Sequence, residues 1–413
     1  MNAKTFLTQL KQDGNTTSLE DIQNVLTILN DVRQNGDEAL IRYSEQFDGV
    51  KLDDFKVPKS YLKQSYDNLS DEMKESLQLI KDRITEYESQ IKYQDIQLDE
   101  FKYVYSPIER VGLYIPGGTA LYPSSVLMTV VSAMVAGVKE FYAVTPVFNK
   151  ENITFATLYF LGIDQVYTVG GAQAVAALAY GTETIPKVDK IVGPGNAYVA
   201  LAKRLVYGDV GIDMIAGPSE ILVYADESAK PREVMYDIFA QAEHDPNART
   251  YLLSESQSFV EEVEALVKEE APKQVRADII QASLRDNHYV VVDSRENLID
   301  VINQVAPEHV SIQHKDSAEI ISKIRYAGAV FEGRYAPEAI GDYAAGPSHV
   351  LPTDRTARFS HGLNVNDYLT SHAVISISKE TYQNIVGAAE IVAASEGLDC
   401  HYQSLNIRNE ANK

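Results

Sequence analysis

Lys190-Ile191-Val192-Gly193-Pro194-Gly195-Asn196 decides the fold class: a short apolar run ends in glycine and opens onto a helical pattern. The same grammar recurs on both sides of it. Val111-Gly-Leu-Tyr-Ile-Pro-Gly-Gly118 leads into helical spacing at 123–136, and 141–146 then reads as a strand. Gln165-Val-Tyr-Thr-Val169 is followed by Gly170-Gly171-Ala172-Gln173 and an alanine-rich helix. Strands alternating with helices of this length predict parallel βαβ units, because a parallel pair needs a crossover that returns the chain to the same edge. Glycines at the C-terminal ends of such strands are where α/β sheets receive ligands, since the free N–H groups of a helix start suit phosphates. None of these turns reads GxGxxG, and no acidic residue follows at the usual distance, so the common dinucleotide fingerprint is missing. The turns are either a ligand-facing edge or tight connections that only glycine fits.

The alternation resumes beyond Gly217-Pro218, with apolar runs at 221–225, 250–253, 289–292 and 309–312 and amphipathic helices at 258–270 and 316–326 between them. Two batches of βα units predict two α/β lobes with a cleft between them. Ahead of both, 19–32, 36–46 and 70–93 carry apolar residues at three and four spacing. That helical region has no histidine and reads as scaffold and dimer surface. A further apolar helix is expected over 381–394.

The chain has 413 residues, enough for two or three domains, and 45% of them are hydrophobic. The net charge of -22 argues against nucleic acid or an anionic membrane as the main partner. Cys400 is the single cysteine, which excludes an intrachain disulfide and a cysteine-rich metal site and fits a reducing, cytoplasmic setting. The N-terminus carries no signal-peptide pattern, and the longest apolar run, 126–138, is too short to span a bilayer.

Polar clusters interrupt this framework. Ala240-Gln-Ala-Glu-His-Asp-Pro246 closes a predicted helix over 231–244, so Gln241 and His244 share one face and could form half of a metal shell without any thiolate. Ala306-Pro-Glu308-His309 enters a strand, where adjacent side chains diverge unless the backbone is irregular. It is either a polar turn or a pair of proton acceptors of different basicity. Ser219 either caps a turn or binds a ligand. Asp342 and His349 lie in a glycine-rich loop, where an aspartate commonly makes an Asx-turn. His401 sits in a charged tail. Taken together, Gln241, His244, Asp342 and His401 form a nitrogen and oxygen donor set suited to Zn²⁺.

With these pieces in order along the chain, the sequence closely resembles the histidinol dehydrogenase family. The resemblance is carried by the 111–118 and Gly170-Gly-Ala-Gln-Ala-Val-Ala-Ala177 motifs, Val188-Asp-Lys-Ile-Val-Gly-Pro-Gly-Asn196 and Ile215-Ala-Gly-Pro-Ser-Glu220. Gln241-Ala-Glu-His-Asp245, Ala306-Pro-Glu-His309, Gly341-Asp-Tyr-Ala-Ala-Gly346 and Glu396-Gly-Leu-Asp-Cys-His401 complete it. It implies a cytoplasmic homodimer whose chains each carry two incomplete Rossmann-like lobes with parallel sheets, a helical N-terminal region and an extended C-terminal arm. It also implies oxidation of L-histidinol to L-histidine through the aldehyde, with two NAD per turnover and one Zn²⁺ per subunit, at the end of histidine biosynthesis. Residue by residue, it makes Gln241, His244, Asp342 and His401 metal and substrate ligands, with His401 crossing the dimer. Glu308 and His309 become bases, Ser219, His309 and Glu396 touch substrate, and Tyr114, Gln173 and Asn196 contact NAD.

The division expected is an N-terminal arm over 1–18, a larger lobe of 19–113 plus 219–363 carrying the zinc and catalytic residues, an NAD-contacting lobe over 114–218, and a C-terminal helix and tail over 364–413 reaching the partner. Asp354-Arg355 stand where the family more often has glycines, and Ser348 where asparagine is commoner. A zinc-dependent hydrolase of a small amine-containing substrate is the alternative enzyme, and a two-lobed binding protein with a structural metal the alternative non-enzyme.

Overall fold

The computed structural model describes residues 1–10, 18–50, 54–117, 121–146, 152–215 and 217–409. Part of the expected 1–18 arm, Gly118 and Ala216 lie outside them. The chain divides into two units: Met1–Ile91 with Ile108–Tyr368, and Lys92–Pro107 with Leu369–Lys413. The described strands are β1 (Ile96–Gln97), β2 (Phe101–Pro107), β3 (Arg110–Tyr114), β4 (Glu140–Val144), β5 (Val166–Tyr167), β6 (Lys190–Val192), β7 (Gly211–Ile212), β8 (Glu220–Ala225), β9 (Arg249–Ser254), β10 (His288–Val292), β11 (His309–Gln313), β12 (Ala329–Glu332) and β13 (Leu369–Ile375).

The first unit holds two parallel five-stranded sheets, ordered β5-β4-β3-β6-β7 and β10-β9-β8-β11-β12. Counted from its own first strand, each sheet has the same order, 3-2-1-4-5. The order reverses between β3 and β6 in one sheet and between β8 and β11 in the other, which are the places where such sheets open a crevice. The two α/β lobes read from the sequence are therefore present. β8 shows why its sequence is a continuous apolar run: all six residues are buried. Leu222 and Tyr224 pack with Phe6, Leu298 and Ile302 on one face. Ile221, Val223 and Ala225 pack with Val234, Ile238 and Val260 on the other, as the period of two requires.

The expected boundaries differ from the packing at the N-terminus. Residues 19–113 were grouped with the larger lobe, yet Val25, Leu29, Val32 and Leu40 of helix Leu19–Tyr43 share a core with Ala174, Leu178, Ile191 and Val199 of the first sheet's lobe. An amphipathic stripe shows that a helix must be covered, not by which sheet. The described part of the arm is a helix, Ala3–Leu10, whose Phe6 is buried in the second sheet's core. The break expected between 32 and 36 is a single non-helical residue, Gly36, inside one helix. The helix expected over 316–326 stops at Ile321, where i to i+3 bonds from Lys323 and Ile324 tighten the chain into a turn.

In the second unit β1, β2 and β13 form an antiparallel sheet, followed by helices Lys379–Ser395 and Asp399–Asn406. Tyr382 Oη donates to the Leu405 carbonyl at 2.8 Å and ties the two helices together. Residues read as a charged tail at 396–401 thus run into a helix. Among the described residues, no helix is long and apolar enough to cross a membrane.

Candidate active site

A cleft of about 350 Å³ opens in the first unit. One side is the C-terminal edge of the first sheet at its reversal point, where Pro116 follows β3 and Gly193, Pro194 and Gly195 follow β6. The other side is the N-terminal edge of the second sheet. Ser219, Gln241, His244, Glu308, His309 and Asp342 all line this one cleft, although they come from separate parts of the sequence.

On the first side Gly193 has φ +112, and a Cβ there would stand 2.1 Å from the Tyr114 carbonyl oxygen, so no side chain fits. Its N–H donates to Asp213 Oδ2 at 2.7 Å and its carbonyl accepts from Lys203 Nζ at 2.9 Å. Lys203 and Asp213 form a buried ion pair that also lines the cleft, and neither was singled out in the sequence. Tyr114 Oη accepts from the Gly171 N–H at 3.1 Å. Gln173 is buried, and Asn196 caps helix Ala197–Val206 by accepting from the Val199 N–H. These three lie on the expected strand ends but are not among the residues lining the cleft.

On the second side the helix expected over 231–244 ends at Ala242. His244 sits in the following turn, its N–H donating to the Gln241 carbonyl at 3.2 Å, so both side chains still reach the same space. His244 Nε2 is 3.9 Å from Asp342 Oδ2. Asp342 is not on a loop: it belongs to a short helix, Glu338–Tyr343. One turn earlier on that helix is Glu338, missed in the sequence although i, i+4 spacing puts it on the same face. His309, Glu338 and Asp342 offer ligand atoms within 4.8 Å of one another. His349 donates from Nδ1 to the Asp342 carbonyl at 2.9 Å, leaving Nε2 to accept from Ser125 at 3.2 Å.

Glu308 and His309 project into one cleft because the backbone before them is irregular. Ala306, at φ 46, ends helix Arg295–Val305 in the left-handed region. The backbone of one residue then holds both side chains. The Glu220 N–H donates to Glu308 Oε2 at 2.8 Å, and the Glu220 carbonyl accepts from His309 Nδ1 at 2.9 Å. Gln241 Oε1 shares that imidazole proton at 3.1 Å. With Nδ1 protonated, Nε2 carries the lone pair, facing Glu338 Oε1 at 3.8 Å. Burial pushes His309 down to about 4, so the ring is neutral near pH 7. Burial pushes Glu308 well above the ordinary carboxylate range, and Glu220 and Glu338 beside it add to the rise.

The loop carrying unusual residues for the resembled family is also explained. Asp354 and Arg355 take φ 51 and 66, the left-handed region where glycine is unstrained. Asp354 Oδ1 pairs with Arg249 Nη1 at 2.5 Å, which compensates. Glu396 and His401 lie exposed in the second unit.

At the second sheet's own C-terminal edge, charged side chains pair with one another. His314, just past β11, bonds Glu255 Oε2 at 3.0 Å and stands 3.5 Å from Asp226 Oδ2, while Arg295 meets Asp316 at 2.7 Å.

Comparison with known proteins agrees over the full length. The family model for histidinol dehydrogenase matches residues 11–409. A histidinol dehydrogenase of Staphylococcus saprophyticus is 48% identical over 405 residues, 97% of this chain and 96% of that one. One from Staphylococcus aureus strain COL is 46% identical over 415 residues, 99% of each. The crystal structure of histidinol dehydrogenase from Elizabethkingia anophelis superposes with a TM-score of 0.92 at 34% identity, covering 97% of this chain and 96% of that one. The chain belongs to the histidinol dehydrogenase family.

Proposed function

We propose that this chain is an oxidoreductase that converts L-histidinol to L-histidine through L-histidinaldehyde, passing two hydrides in succession to NAD. The observation that carries this reading is convergence: two side chains of different basicity, held by the backbone of Glu220, share a cleft with imidazole, amide and carboxylate donors.

The donor set fits a divalent ion. Gln241, His244 and Asp342 offer nitrogen and oxygen ligands without thiolate, and Glu338 Oε1 beside them is buried without a hydrogen-bond partner. His309, Glu338 and Asp342 are a competing triad by distance. We favour His244 over His309 as a ligand because the His309 Nε2 lone pair is the one needed to take the alcohol proton, whereas His244 Nε2 stands 3.9 Å from Asp342 Oδ2, another member of the set. His401 from a second copy of the chain would complete the shell, one Zn²⁺ per subunit. Bound there, the ion supplies positive charge that orients an amino alcohol bearing an imidazole.

His309 Nε2 takes the alcohol proton in the first oxidation, and Glu308 takes a proton from water in the second, which adds to the aldehyde carbon. A buried carboxylate is a stronger base than a solvated one, which suits Glu308 to water. Ser219 and Glu396 would hold the substrate's polar groups, Glu396 from the second copy. Tyr114, Gln173 and Asn196 would contact NAD along the first sheet's edge.

An absorbance trace at 340 nm with histidinol and NAD tests the reading: two NADH should form per histidine. A zinc-dependent hydrolase would form none, and neither would a binding protein with a structural metal.

A further inference from the structure

Glu220 is the first residue of β8 and only 1% exposed, so its carboxylate has left water entirely. One oxygen, Oε1, accepts from Arg249 Nη1 at 2.9 Å, and Oε2 is buried with no hydrogen-bond partner. Arg249 is the first residue of β9, in register with Glu220, and its N–H donates to the Ser219 carbonyl at 2.9 Å. The guanidinium is pinned in turn by Asp354, which reaches the same Nη1 at 2.5 Å from a left-handed backbone. Arg249 is thus the cation paired with a carboxylate whose own backbone N–H and carbonyl hold Glu308 and His309.

We infer that Arg249 is a positioning residue for both bases, acting through the Glu220 side chain on the Glu220 backbone N–H and carbonyl. This rests on the proposed roles of Glu308 and His309. Without the guanidinium, the Glu220 carboxyl would keep no hydrogen-bond partner in a buried site. The first residue of β8 relieves this by turning its side chain toward water, and its backbone N–H and carbonyl shift with it. Glu308 Oε2 then loses its N–H donor, and His309 Nδ1 loses the carbonyl that fixes which nitrogen carries the proton. The effect belongs to the reacting geometry rather than to substrate affinity. Asp354 differs in consequence: removing it leaves Glu220 paired, so the bases stay in place.

Kinetics with histidinol and NAD, run beside NMR detection of a protected imidazole N–H that disappears in His309→Asn, test this. Arg249→Met should lower kcat about 10- to 100-fold with both KM values within about twofold, and should lose the protected N–H signal. Arg249→Lys should keep most of kcat. Adding Glu220→Met to Arg249→Met should return kcat to within about threefold of the parent protein, because no buried polar side chain is left unpaired. Asp354→Asn should leave kcat and the signal as they are. The inference is overturned by a normal kcat in Arg249→Met, by a loss of kcat with the imidazole N–H still protected, or by a double variant no better than the single. If the parent protein forms no NADH from histidinol, the proposed function fails, and the N–H signal alone still decides whether Arg249 positions His309.

Discussion

Glu338 Oε1 stands 3.8 Å from His309 Nε2 and has no hydrogen-bond partner, in a residue only 2% exposed. Burial, then the Asp342 carboxylate beside it, push Glu338 far above the ordinary carboxylate range. Below that range the group is protonated in folded and unfolded chains alike. As pH rises, the unfolded chain releases its proton first and the folded one keeps it, so the stability Glu338 contributes in acid is lost toward alkaline pH. In protein stripped of metal by a chelator, Glu338→Gln should therefore gain on the parent in thermal midpoint between about pH 5 and pH 8. Parallel midpoint-against-pH curves for the two proteins would sink this assignment.

His309 behaves in the opposite sense. Its folded value of about 4 lies below the ordinary imidazole value, so the unfolded chain binds the proton first as pH falls. Stability is full above about pH 6.5 and declines toward pH 4, by at most about 3 kcal/mol. His309→Asn should flatten this part of the acid limb, as read by urea midpoints at pH 7, 5.5 and 4.5.

Glu308→Gln keeps the size of the side chain and removes its basicity. The first oxidation should continue while the second slows by about 10²- to 10⁴-fold, a usual worth for a general base. The stoichiometry then shifts from two NADH per histidinol consumed toward one, with aldehyde trapped by a hydrazine reagent. Loss of the first NADH as well would count against a role in activating water.

A ligand shared across a dimer can be tested by complementation. His244→Asn and His401→Asn should each lose bound zinc, measured by atomic emission after desalting. Unfolded together and refolded, random pairing should return about a quarter of the sites, because one of the two sites in each mixed dimer is intact. No recovery would mean that His401 serves its own chain or none.

Arg355 holds φ 66, and its side chain makes no hydrogen bond or ion pair among the described residues. Arg355→Gly should stabilise the protein by about 0.5–1 kcal/mol, the left-handed cost less the extra freedom of an unfolded glycine. Equilibrium urea unfolding checks it, and a loss of stability would show that the arginine is engaged.

Much of this architecture was legible in the chain. Runs such as Lys190–Val192 and Glu220–Ala225, closed by glycine or polar residues and followed by helical spacing, read directly as parallel strands because both faces are covered. Which core takes helix Leu19–Tyr43 was not legible, since its stripe would satisfy either lobe. Asp342 was placed on a loop because Gly341 and Gly346 suggested one. The short helix Glu338–Tyr343 forms regardless, with Pro337 leading into it, and brings Glu338 to the cleft. Gln241, His244 and Asp342 could be grouped by the chemistry of their donor atoms, but their roles, and the placing of Glu308 beside them, came through the motifs of the family. Glu220 and Arg249 escaped notice because nothing local distinguishes a buried pair at two strand starts from any other charged residues.

The cleft is built from opposite ends of two sheets, and the helices follow suit. Helices Gly171–Tyr180 and Ala197–Val206 begin at the C-terminal edge of the first sheet, whereas Pro231–Ala242 and Arg295–Val305 finish at the N-terminal edge of the second. Their macrodipoles therefore favour negative charge at the first edge and positive charge at the second. On the proposed function, a dinucleotide's diphosphate would be favoured at the first edge and an ammonium or metal cation at the second, a polarity set by the backbone before any side chain is engaged. Inorganic pyrophosphate should then compete with NAD and leave histidinol binding alone; competition with the amino alcohol instead would refute the polarity.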